Sequence, residues 1–392
     1  MGIRSWLDRN SKLYYNLCLF VLFFVAASAS FTGFYDKSHF REAGVRGDWY
    51  ETSFEAMVDG TAHKPYIYRR LLPDTLNLID AATPRKFKDY LFVHQKSGLD
   101  ACLIAIASSP TAQNKAYFYR YQLLYLITFG FVLLSTYAMY MVCRVMSVPP
   151  AASAFAAVLF IMLMPYFQLP SGFAYDFVEL ALMCLAVWMA VKFEWYWLIP
   201  IVALAEWNKE SFLFFIPCLY PLMRRRNSKA ATFAGSAVLL LLCGALYLSV
   251  RIHFAHNEGT SVIPQYMDQL GEFRNFKSFF WPMDETYGVR VPRVYGVLPI
   301  ALIVWTVWRG WKKLSPAVKL HAKIAAAINF PLFALFCTPA EIRDLSLLYV
   351  TFVLIMAVGF NEWIESAQKS AQHGPTRAES KAVREPQRVH TS

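Results

Sequence analysis

About ten apolar runs, each separated from the next by charged or turn-forming residues, set the pattern of this chain. They fall at about Tyr14 to Phe34, Gln122 to Cys143, Ala151 to Tyr166, Asp176 to Val191, Tyr196 to Trp207, Ser211 to Met223, Ala231 to Val250, Tyr295 to Trp308, Ile324 to Cys337 and Leu345 to Phe360. Crossing about 30 Å of hydrocarbon takes roughly 20 helical residues, and a helix satisfies its own backbone groups in lipid. The expected fold is therefore all-α, a polytopic transmembrane helix bundle of about ten spans. The fifth and sixth runs are short and separated by the polar turn Trp207, Asn208, Lys209, Glu210, so a single hairpin that stops below the far surface is an alternative to two full crossings.

The connections are unequal. Residues 35–120 form a first outer loop too long for a plain connection. Its amphipathic stretches, Tyr68 to Ala81 and Leu99 to Ser108, predict helices lying on the membrane surface. A second outer loop, residues 251–294, carries Trp281, Tyr287, several Phe residues and mixed charge. Residues 1–360 thus make a transmembrane domain, and the polar residues 361–392 predict a disordered cytoplasmic tail. Arg4, Arg9 and Lys12 before the first run resemble the start of a signal peptide, but the length of the run and the bulky Phe31, Phe34 and Tyr35 after it predict a retained anchor. A cytoplasmic N-terminus puts Arg144, Lys192, Arg224 to Arg226, Lys229, Arg309, Lys312, Lys313 and the tail on one side, the positive-inside arrangement. A multi-pass protein of a bacterial inner membrane, with both termini cytoplasmic, is the expectation.

Composition agrees with the pattern: 57% of residues are hydrophobic and 17% charged, too little charge for a water-facing surface. The net charge of +11 lies in the connections, which points to anionic headgroups or phosphorylated lipids and away from nucleic acid. Of seven cysteines, Cys18, Cys143, Cys184, Cys218, Cys243 and Cys337 sit in apolar runs without a CxxC pair, as packing residues do. No cofactor is evident, and a divalent metal has no supporting ligand set. His253 and His256 share a helical face but lack a third ligand.

The expected topology gathers most other ionisable groups on the outer face: Asp48, Arg69, Arg70, Asp176, Glu179, Lys209, Glu210, Glu341 and Arg343. Charge at membrane depth is expensive, so each needs a partner, a wet cavity or a task. Gly47-Asp48-Trp49-Tyr50, then Ala56, Gly60 and Tyr68-Arg69-Arg70-Leu71-Leu72-Pro73, resemble the first outer loop of the GT-C superfamily of integral membrane glycosyltransferases. Asn208-Lys209-Glu210 and Glu341-Ile342-Arg343 also look like features of such proteins. Two departures accompany the likeness: Trp49 follows Asp48 where the family commonly has a second acid, and Arg70-Leu71 stands where it has an Arg-Pro step.

The resemblance implies transfer of a sugar from a polyprenyl-phosphate donor to a glycan, lipid or protein acceptor on the non-cytoplasmic face. A carboxylate, Asp48, would take the proton of the attacking hydroxyl. Arg69, Arg70, Lys209 and Arg343 would hold the phosphate, and Glu210, Asp176 and Glu341 would complete the substrate site. Each residue also has a plainer reading. Asp48 competes with Asp36 and Asp59 and with a helix-capping role. Arg69 and Arg70 could touch headgroups only, and Lys209 with Glu210 could be a local ion pair. Asp176 and Glu179, three apart on one helix face, could meet Tyr175 or an arginine of the first loop. Glu341 and Arg343 could contact the long loops. Trp49, Trp281 and Tyr287 are candidates to stack on a sugar. The alternatives are a polymerase or ligase of lipid-linked glycans, and a non-enzymatic transporter or flippase, which would place polar groups at mid-membrane depth.

Overall fold

The computed structural model describes residues 11–45, 49–94, 109–168, 172–260, 266–280, 283–337 and 341–372. Asp48, Trp281, Leu99 to Ser108 and the end of the tail lie outside them. The chain begins with α1 (Ser11–Ser38), and its first loop carries the short helices α2 (Phe54–Asp59), α3 (Leu71–Ala82), α4 (Arg85–His94) and α5 (Pro110–Gln113). Next come α6 (Phe118–Val145), α7 (Pro150–Phe167) and α8 (Ala174–Lys192), then α9 (Leu198–Asn208), a 3-10 segment (Glu210–Phe215) and α10 (Ile216–Met223). α11 (Lys229–His253) leads to the second loop, with α12 (Tyr266–Arg274) and the antiparallel hairpin β1 (Met283–Thr286) and β2 (Val289–Pro292). The last elements are α13 (Val297–Trp311), α14 (Pro316–Phe336), a 3-10 turn (Ile342–Leu345) and α15 (Ser346–Gln372).

Among the described residues seven helices are long and apolar enough to cross a membrane: α1, α6, α7, α8, α11, α14 and α15 with the turn before it. The chain is a membrane-embedded, multi-pass helical bundle. Three of the expected spans are shorter, at α9, at Glu210–Met223 and at α13. With 11 residues, α9 is roughly 16 Å long, about half a hydrocarbon core. The turn between it and the 3-10 segment brings Asn208 and Lys209 to the first turns of α8. Asn361 does not begin an irregular tail, since α15 continues to Gln372 and puts its polar last turns beyond the bundle. The second loop holds a β-hairpin, an element that the all-α expectation did not include. Its Tyr287-Gly288 turn has positive φ at both residues, 58° and 71°, as tight hairpin turns require.

Two sequence features seat the bundle. Pro165 inside α7 has no N–H for the carbonyl of Ile161, and the Ser30 hydroxyl of α1 donates to that oxygen at 2.7 Å. Ser228 and Ser315 cap α11 and α14, each accepting from the backbone N–H three residues on. α8 is the central helix, with 83% of its apolar window buried. The carboxylates in its first turns must accordingly find protein partners. The Gly172 N–H, in the loop before α8, donates to the Ser38 hydroxyl oxygen at 2.7 Å, and Tyr35 meets Tyr121 at 2.9 Å, so the end of α1 and the starts of α6 and α8 lie together. At the opposite end Arg225 reaches Met146, and Lys313 pairs with Glu362 at 3.1 Å.

α13 approaches α15 closely at Gly310, where a Cβ would lie 2.5 Å from Ile355 Cγ2 and 2.9 Å from the Ile355 carbonyl oxygen. Gly310→Val is expected to destabilise the protein by about 1 to 3 kcal/mol, because the helices must separate to admit the side chain. Thermal unfolding in detergent checks this; an unchanged midpoint would show that the close approach carries no packing energy.

Candidate functional site

Four elements bring the charged residues of the sequence into one buried cluster: the first turns of α8, the α9 tip, the turn before α15 and the first loop. Asp176 caps α8 by accepting from the Phe173 N–H at 3.0 Å, and the same oxygen accepts from Gln168 at 3.2 Å and from Arg343 Nη1 at 2.9 Å. Arg343 Nη2 donates to Glu341 at 2.8 Å. One turn further along α8, Glu179 takes Lys209 Nζ at 2.9 Å and the hydroxyls of Ser211 and Ser346 at 3.2 and 2.9 Å. Lys209 also donates to Asp344 at 3.2 Å. Burial opposes the Lys209 charge, but Glu179, Asp344 and Asp176 outweigh it and hold its pKa above the ordinary lysine value. Asn208 donates to the Tyr175 carbonyl at 3.0 Å, and Asn329 of α14 donates to the Asp344 carbonyl at 2.8 Å, fixing both turns.

Three guanidinium groups surround one ring. Arg41, Arg343 and Arg69 lie 4.8, 4.7 and 5.9 Å from the centroid of Phe173. Arg69 also lies over Tyr175 at 4.5 Å, donates to its hydroxyl, and stands 4.0 Å from Glu210. The Nε atoms of Arg69 and Arg343 and one carboxylate oxygen of Glu210 are buried without a hydrogen-bond partner. Arg41 holds its place from a left-handed backbone, φ 60°, an uncommon conformation for a residue with a side chain. Arg343 is already neutralised by Asp176 and Glu341, whereas Arg69 stands 4.0 Å from Glu210, which leaves Arg69 the guanidinium to which an added anion would contribute most.

The remaining sequence candidates fall as follows. Arg70 faces away from Phe173: it is paired with Asp74, donates to the Met57 carbonyl at 2.8 Å and lies over Phe254. Asp176 meets Arg343, not Tyr175 or a first-loop arginine, and Lys209 reaches across to Glu179 while Glu210 faces Arg69. Asp59 accepts from Tyr117 and faces Arg120 at 3.8 Å. Trp49 is exposed, and Tyr287 packs on Gly33 and donates to the Met162 carbonyl at 2.8 Å. No group of three metal-ligating side chains occurs among the described residues. Sequence reasoning missed Asp344, Phe173 and Arg41; only Asp344, adjacent to Arg343, carried a signal.

Beside the cluster an apolar slot of 480 Å³ runs between α13, α14 and α15. Asp176, Glu179 and Arg343 line its charged end, and Ile303, Val307, Phe330, Phe352 and Ile355 line its walls. α13, with 15 residues, forms one wall over roughly 22 Å. The slot can bury a hydrocarbon chain whose polar head sits against the cluster. No family model, curated protein or solved structure matches the chain.

Proposed function

We propose that the protein is an integral membrane glycosyltransferase of GT-C type, transferring a sugar from a polyprenyl-phosphate donor to a glycan, lipid or protein acceptor. The observation that carries this reading is that Arg343, one of three guanidinium groups around Phe173, also lines the apolar slot. An isoprenoid chain suits the slot, and the phosphate leaving group suits Arg69 and Arg343. In this reading the charged end faces the non-cytoplasmic side of a bacterial inner membrane, and both termini are cytoplasmic. Asp48 is the proton acceptor, Lys209 and Asp176 hold the cluster in shape, and Arg70 anchors the first loop. Transport of lipid-linked saccharides is the second reading, favoured by the charged pair Lys209–Glu179 set inside the helical bundle.

Arg69 separates binding from folding better than Arg343, because no carboxylate lies within hydrogen-bonding distance of it. Arg69→Gln is expected to weaken binding of a polyprenyl phosphate by about tenfold to a hundredfold, as loss of a charge-assisted contact does. Binding measured on the purified protein, alongside its unfolding midpoint, checks this. Parental affinity in the variant would remove the phosphate assignment, and an equal affinity for the uncharged polyprenol would remove the anion site altogether.

A further inference from the structure

The slot has a second charged end. Lys323, in the first half of α14, lines it together with Trp311 at the end of α13, whereas Arg343 follows the other end of α14. Lys323 is exposed and makes no hydrogen bond or ion pair among the described residues. In the other direction every acid lining the slot, Asp176 and Glu179, is already committed to Arg343 and Lys209. Lys323 sits two turns into a helix that starts at Pro316, at the bundle end that also presents Arg309, Lys312, Lys313 and Lys319. Of these, Lys313 is paired with Glu362, and Lys319 donates to the Lys312 carbonyl at 3.2 Å. A lysine at that depth extends its stem along apolar surface and places its ammonium at the headgroup level.

We propose that this end of the slot is a binding site for an anionic bilayer phospholipid, with one acyl chain between α13 and α14 and the phosphodiester against Lys323. Charge complementarity selects the occupant: a hydrocarbon chain fills apolar walls, and the one slot-lining cation without an ion pair among the described residues takes the anionic head. α13 is exposed along most of its length, with only Gly310 buried, so a chain reaches the slot from the bilayer without crossing the bundle. The head site lies at the end opposite Phe173 and stands whether or not the protein transfers sugar; because one slot of 480 Å³ takes a single chain, the phospholipid and a donor's isoprenoid exclude each other, and the lipid is measured on protein without donor.

The test is lipid retention by the purified full-length protein. Native mass spectrometry would follow titration with phosphatidylglycerol and with phosphatidylcholine of the same acyl chains. The parent is expected to retain the anionic lipid about fivefold more tightly, the contribution of one lysine near an anionic headgroup. Lys323→Gln is expected to erase that preference, Lys323→Arg to keep it, and Lys12→Gln, at the same bundle end but away from the slot, to leave it unchanged. Ala326→Phe, which fills the slot without altering charge, is expected to reduce retention of both lipids. Equal retention of the two lipids by the parent, or an undiminished preference in Lys323→Gln, would overturn the proposal. Loss of the preference in Lys12→Gln as well would assign it to general surface charge and overturn it equally.

Discussion

Replacing Lys209 by methionine is expected to destabilise the protein by about 3 to 5 kcal/mol, the cost of leaving a buried charge without its partner. The ammonium is nearly enclosed and faces two carboxylates, Glu179 at 2.9 Å and Asp344 at 3.2 Å. Removing it leaves those acids buried with only hydroxyls and Arg343 to offset them. Methionine keeps the length and apolar character of the stem, so the loss reports charge and not volume. The double variant Lys209→Met with Glu179→Gln is expected to recover more than half of the loss, because the amide remains a partner for Ser211 and Ser346. Unfolding midpoints of the two single variants and the double variant, in one detergent, complete the cycle. Costs that simply add would show that the two side chains are not coupled and that the cluster is not the structural unit described above.

How much of this was legible in the sequence depends on distance along the chain. The long helices were, because an apolar run of sufficient length has one solution in lipid; the tip at Lys209 was also legible as a polar break between two short runs. Asp176 and Glu179 were legible as neighbours, being three apart on a helix. Their partners were not. Arg343 lies 167 positions from Asp176 and Lys209 lies 30 from Glu179, and periodicity carries no information on such pairings. Arg69 and Arg70 illustrate the limit best. They are adjacent, equally basic and part of one motif, yet a helix beginning at Leu71 turns Arg70 towards Asp74 while Arg69 stays outside it and reaches Tyr175. The left-handed Arg41 gave no sequence signal, whereas the β-hairpin had one that was not read, Gly288 in the turn between Asp284-Glu285-Thr286 and the alternating Val289-Arg290-Val291.

The largest effect is expected at Asp48, the residue on which the transferase reading turns. It follows the first span, precedes Trp49 and Tyr50, and lies upstream of Arg69. The described chain on either side of it is anchored near the cluster. Arg41 lies over Phe173, the Val45 N–H donates to the Glu42 carbonyl, and the Phe54 N–H returns to the Arg41 carbonyl at 3.0 Å. In the sequence Asp48 follows Arg41, whose guanidinium lies over Phe173, by seven residues. Asp48→Asn keeps size and hydrogen-bonding capacity and removes basicity. Transfer from a polyprenyl-phosphate sugar is expected to fall by about 100-fold or more, with donor binding and unfolding midpoint unchanged. The comparison variants are Asp36→Asn and Asp59→Asn, which should lose little, and Glu210→Gln. Glu210 is the described carboxylate with a buried oxygen lacking a hydrogen-bond partner beside Arg69. If the loss appeared in Glu210→Gln and not in Asp48→Asn, the proton acceptor would be the acid of the α9 tip. If the parent transferred no sugar but moved lipid-linked saccharide across vesicles, the transport reading would replace the transferase.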